Sequence, residues 1–370
     1  MANIVILGAG VVGATIAYEL SLIPDVNITV IERNLPYSGS TGAALGVLMG
    51  IISQKTKGRA WRLRQQSIKR YPSLIQELEN LTGEKIFFNR QGILKILSAE
   101  GEIDKWKKLQ QKRKKEGWQL EIIPADQLRR QYPQLNLDKK SFALYSPQDG
   151  QVNPQQLTAS LLEAASLQGV NIHWQTEIKN IISKKIPHTD LLKCCEIATE
   201  NSSWQTDWLI IAAGLGSTAL TQSLQATCHL QPVLGQALHF KLLEQNQSLS
   251  SLLPVITRDD VHIVPLPNQE YWVGATVEFA DEKGIVEAQE QLLEEVKQKA
   301  MQLYPALAKA TLLNSWSGLR PRPQGQSAPV IKELSGYSNV LLATGHYRNG
   351  VLLAPATAQA IKAMLQPKLS

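Results

Sequence analysis

The stretch Ile4-Val5-Ile6-Leu7-Gly8-Ala9-Gly10-Val11-Val12-Gly13, with Ile28-Thr29-Val30-Ile31-Glu32 behind it, sets the fold. Ile4 to Leu7 is a short unbroken apolar run, as expected for a parallel strand buried on both faces. The alanine- and leucine-rich stretch from Ala14 to Leu22 predicts a helix, and Ile28 to Ile31 a second buried strand. The three elements form one βαβ unit with a GxGxxG turn at its first junction. Each part of the turn has a physical role. Gly8 permits a tight turn, Gly10 lets a pyrophosphate approach the backbone, and Gly13 allows the helix to sit close to the sheet. The unpaired N–H groups and positive dipole end of the helix suit phosphates. Glu32, 22 positions after Gly10, is placed to accept hydrogen bonds from ribose hydroxyls, and its charge disfavours a 2′-phosphate.

Beyond this unit, the same texture returns twice. Trp208 to Gly214 and Val340 to Gly345 are apolar runs ending in glycine, and each predicts a buried strand. Helices are expected over 59–81, from Pro154 to Gln168, and from Ala354 to Leu365, with a strand over Val170 to Trp174. Between Leu230 and Leu312 the pattern changes to alternating strands (Gln236 to Leu242, His262 to Val264, Tyr271 to Thr276) followed by a helix from Val286 to Tyr304. The expected fold class is therefore α/β. It comprises a discontinuous Rossmann-like dinucleotide domain and a second, α+β domain on a mixed, largely antiparallel sheet. The boundaries read 1–85 with 146–218 and 334–366 for the first, and 86–145 with 219–333 for the second.

At 370 residues the chain accommodates two such cores. A net charge of +6 is mild for this length, and no nucleic-acid-binding motif accompanies it. The basic run Lys105 to Lys115 reads as the solvated face of an exposed helix. Cys194, Cys195 and Cys228 have no metal-ligand spacing, so no metal site is expected, and a sparse odd set points to a reducing compartment. With no apolar run near the ~20 residues of a membrane span and no leader ahead of Ile4, the expected setting is cytoplasmic.

FAD and NAD are harder to separate. The glycine- and alanine-rich stretch from Gly39 to Gly46 offers backbone N–H groups to a second part of a long cofactor. Ala212, Ala213, Gly214 and Gly345 end strands far down the chain, where an extended ligand needs small residues. Both features favour FAD without deciding it.

With Asp149-Gly150-Gln151-Val152-Asn153-Pro154, Trp316-Ser317-Gly318-Leu319-Arg320-Pro321 and the run Ala343 to Pro355 added, the chain resembles the D-amino-acid oxidase family of FAD-dependent oxidoreductases. Within that family it is most similar to the glycine oxidase branch of thiamine biosynthesis. The resemblance implies noncovalent FAD, since no cysteine lies near Gly318, where relatives with covalent flavin carry one. It implies cofactor contacts from Gly8, Gly10, Val12, Gly13, Glu32, Arg33, Ser40, Thr41, Gly42, Ala43, Gly46, Ile178, Ala213 and Gly214. The C-terminal contacts it implies are Gly345, His346, Arg348, Asn349, Gly350, Val351 and Leu352, the backbone of which approaches the flavin ring. Arg320 is expected to grip a substrate carboxylate, since its planar fork suits bidentate binding, with Arg348 as a second anchor. His346 is expected to position rather than act as a base. His262 stands where glycine oxidases carry a tyrosine, so substrate grip or preference is expected to differ.

The implied reaction is oxidation of glycine through hydride transfer from Cα to the flavin, giving imine or glyoxylate, ammonia and, with O2 as acceptor, hydrogen peroxide. Thiazole synthase is an implied partner, and a homo-oligomer the implied assembly. The rival readings are a D-amino-acid or sarcosine oxidase or dehydrogenase, a flavin-binding subunit without a substrate of its own, and an NAD-dependent dehydrogenase.

Overall fold

A computed structural model describes residues 1–98, 103–243, 252–282 and 284–369. Its first layer is a six-stranded sheet in the order Val330–Glu333, Val340–Thr344, Trp208–Ile211, Ala2–Leu7, Val26–Ile31, Asn171–His173. Every neighbouring pair is parallel except the outermost, Val330–Glu333 with Val340–Thr344. The central strands carry apolar side chains on both faces because both faces are covered. On one side helices Val11–Ser21, Gly58–Thr82, Pro154–Leu167 and Gly350–Leu369 bury Ile4, Ile6, Ile28 and Ile210. On the other a three-stranded sheet (Asn180–Lys185, Leu192–Ala198, Ser203–Gln205) contributes Cys194 and Ile197 against Val5, Leu7 and Ile211. Cys194 packs as a buried apolar residue, and all three cysteines are free.

The second layer is a nine-stranded sheet, antiparallel except where Val255–Arg258 meets Ile93–Ser98. Its long members are Leu230–Lys241 and Thr311–Pro323, paired from Leu230 with Pro323 to Lys241 with Thr311. Helix Glu290–Leu303 covers its far face through Val296, Ala300 and Leu303. The helix begins four residues later than the sequence pattern placed it. The main-chain N–H of Gln289 is held by the buried Glu278 carboxylate at 2.6 Å, outside the helix.

The C-terminal helix begins four residues before the expected Ala354, at Gly350. The basic helix Ile103–Lys115 is not simply a solvated face. Arg113 is fully buried and donates to the carbonyls of Ile51, Ser53 and Lys55 at 2.7–2.8 Å. Trp106 and Leu109 are buried beside it. Among the described residues, no helix is long and apolar enough to cross a membrane.

Candidate active site

Between the two sheets lies a cavity of about 1340 Å³, lined from Gly8 and Glu32 at one end to Arg320, Arg348 and Leu352. Each predicted site residue lines it except Gly13. Gly13 instead faces the strand it packs on. A Cβ there would lie 1.9 Å from the Gly8 carbonyl, so the glycine lets the helix close on the strand.

The dinucleotide end is built from the βαβ turn. Gly8 has φ +107°, and a side chain there would strike the Ala212 carbonyl at 2.7 Å. Helix Val11–Ser21 starts at Gly10 with no side-chain cap and no acidic residue in its first turn. Thr41 Oγ1 accepts from Val11 N at 3.0 Å, tying the Gly39–Gly46 stretch to that helix. Ser40 Oγ donates to the Leu319 carbonyl, tying the same stretch to the second sheet. Glu32 accepts from Ala9 N at 2.9 Å and Asn34 N at 3.0 Å, which fixes its carboxylate at the cavity wall. A positive helix end beside a turn that excludes side chains fits a pyrophosphate, and the further length of the cavity fits the rest of an FAD.

The other end is floored by the second sheet. Cross-strand pairing sets His262, Gly274, Ala237 and Trp316 in one row, and Gly235 beside Gly318 two rows on, on the same face. The glycines admit neighbours. Gly318 leaves room for Ala43, and a Cβ at Gly235 would lie 2.0 Å from Arg320 Nη2. The Arg320 guanidinium therefore lies across Gly235, with Nη1 donating to the Leu234 carbonyl at 2.9 Å. Burial, and then the nearby Arg348 charge, push Arg320 below the usual arginine range. Arg348 is 3.6 Å from Asp260, which is largely exposed.

His262 is held neutral by burial and by Arg348, with its pKa lowered to about 4. His346 is buried, bonded to Thr357 Oγ1 at 2.9 Å, and burial lowers its pKa to about 3. A neutral histidine locked in a hydrogen bond is poorly suited to act as a base.

Three contributors were not legible as site residues in the sequence. Gly235 carried no signal, because its role depends on a strand pairing far away in sequence. Asp260 sits in an ordinary hairpin turn. Arg64 did leave a trace. It falls at helical spacing on the buried stripe of Trp61, Ile68, Tyr71 and Ile75, where an arginine is out of place.

A cavity of this length between a Rossmann-type sheet and an arginine-bearing sheet defines an enzyme that works on a small substrate with a dinucleotide. The family model described as FAD dependent oxidoreductase matches residues 3–364, and the chain belongs to that family. Among curated relatives, a glycine oxidase of Geobacillus kaustophilus is 26% identical, over 99% of this chain and 93% of that protein. The bifunctional protein ThiO/ThiG of Trichormus variabilis is 30% identical over 97% of this chain, which spans about half (52%) of that longer protein. Among solved structures, glycine oxidase from Bacillus cereus superimposes with a TM-score of 0.83 at 25% identity, covering 100% of this chain and 96% of that one. The chain is an FAD-dependent oxidoreductase with the same mixed α/β fold.

Proposed function

We propose that this enzyme oxidises the Cα–N bond of a small amino acid, with glycine the leading substrate. One observation carries the reading: Arg320 is fixed across Gly235 at the cavity floor, partly buried and beside a second cation. A carboxylate placed there receives a planar fork and relieves the repulsion between Arg320 and Arg348. The likeness to glycine oxidases supports the same choice.

In this reading Arg320 holds the carboxylate and thereby points Cα toward the stretch Gly345 to Leu352. Arg348, released from Asp260, closes on the same group. His262 stays neutral and adds no charge beside the substrate amine, which must lose its own proton before reaction. FAD bound there would supply the redox chemistry, as acceptor of a hydride from Cα and donor of electrons to O2. Orientation and electrostatics are what the chain contributes.

We further assign 1–85, 146–218 and 334–366 to the cofactor domain and 86–145 with 219–333 to the substrate domain. The ThiO/ThiG relatives support a role in supplying thiazole synthesis, and the sparse, odd set of cysteines supports a reducing cytoplasmic setting. Arg320→Ala tests the carboxylate role. Losing a charge-assisted fork costs about 1.5–3 kcal/mol, so KM for glycine should rise by roughly 10- to 100-fold with FAD still bound. Unchanged kinetics remove Arg320 from that role.

A further inference from the structure

Arg64 is a buried cation on the helix Gly58–Thr82. It is 8% exposed and lines the cavity, yet no ion pair among the described residues includes it. Nη1 donates to the Ala60 carbonyl at 3.0 Å and Nη2 to Asn349 Oδ1 at 3.3 Å, while Nε is buried with no partner among the described residues. Asp149 favours its charge from a distance, but that carboxylate is engaged by the N–H groups of Gly50, Ile51 and Ile52. Burying a guanidinium against neutral acceptors is costly, and such a charge is expected to serve something that binds beside it.

Its neighbour stands at a second helix end. Asn349 immediately precedes helix Gly350–Leu369, whose first residues Gly350, Val351 and Leu352 line the cavity. That helix end is positive and separate from the one at Gly10 assigned to the phosphates. Tyr71 donates to the Val351 carbonyl and Ser67 Oγ accepts from Ala356 N, so the helix bearing Arg64 is fastened to this second helix end.

We propose that Arg64 adds its charge to the positive end of helix Gly350–Leu369 at the cavity wall assigned to the flavin ring, raising the two-electron potential of bound FAD. Transfer of a hydride, two electrons with one proton, turns the substrate amine into an iminium and leaves one net negative charge on the accepting ring. A fixed cation nearby stabilises that charge. The inference rests on the cofactor assignment and goes beyond it by giving a role to a residue outside the nucleotide motif.

The test is the reduction potential of the FAD-loaded protein, measured by equilibration with a reference dye. Arg64→Gln should shift the two-electron equilibrium toward the oxidised form by about tenfold, or about 30 mV. Arg64→Lys should stay near wild type. Asn349→Asp, nearly isosteric, sets a carboxylate against Arg64 and should shift the potential in the same direction, so it serves if Arg64→Gln does not fold. Unchanged potentials in the variants that hold FAD overturn the proposal. So does weakened FAD binding with an unshifted potential, which would assign Arg64 to the phosphates. A wild-type chain that takes up no FAD defeats the cofactor assignment itself.

Discussion

Arg320 reaches its place because residue 235 has no side chain. A Cβ there would stand 2.0 Å from Nη2, and an arginine moves more easily than a strand. Gly235→Ala should therefore displace the guanidinium without unfolding the sheet. A loss of about 1 kcal/mol in carboxylate binding, as for one ordinary hydrogen bond, gives a KM rise of roughly fivefold at near-normal thermal stability. A strongly destabilised variant would show that the glycine serves packing instead. The histidines carry a second expectation. With its pKa lowered to about 4 by burial and Arg348, His262 is neutral from about pH 6 to about pH 9 and cannot shape the rate there. The rate at subsaturating glycine should rise over that range through loss of the substrate ammonium proton, and His262→Gln should leave the shape of the profile unchanged. A changed acid limb in that variant would mean that His262 titrates in the working range.

Among the elements, the βαβ unit was legible because its signals are local: an apolar run, three glycines and an acid fall within 32 residues. The strands starting at Trp208 and Val340 were readable for the same reason, whereas Leu230–Lys241 starts six residues before the expected Gln236. What stayed hidden depends on pairing across the chain. The run Lys105 to Lys115 is dominated by basic residues, and its composition does not mark Arg113 as the residue facing three carbonyls of the 51–55 segment. Helical spacing with Trp106 and Leu109 was the only trace. Arg113 also stacks on the Trp61 ring, 3.5 Å from its centroid. Arg113→Met should cost about 1–3 kcal/mol, since the buried Ile51 carbonyl loses its donor, and should lower the urea midpoint. A change below about 0.5 kcal/mol, typical of an exposed substitution, would return the residue to the solvated face.

At the scale of the molecule, a parallel sheet assembled from distant segments meets an antiparallel sheet across one long cavity. Return of the apolar, glycine-ended strands late in the chain made the discontinuity legible, whereas the cavity itself arises from small residues on both sides. Ala43 fits against Gly318, and Leu45 lies near Gly274. The function proposed for this cavity is the reduction of bound FAD by a small amino acid that Arg320 holds. The decisive measurement is to add glycine anaerobically to the FAD-loaded chain and follow the visible spectrum, with sarcosine, D-alanine and D-proline alongside. The flavin bands should bleach, with glycine the most effective of the four. Bleaching by another of the four alone would keep the reaction and change the substrate; a chain that holds FAD and is reduced by none of them would contradict the proposed function.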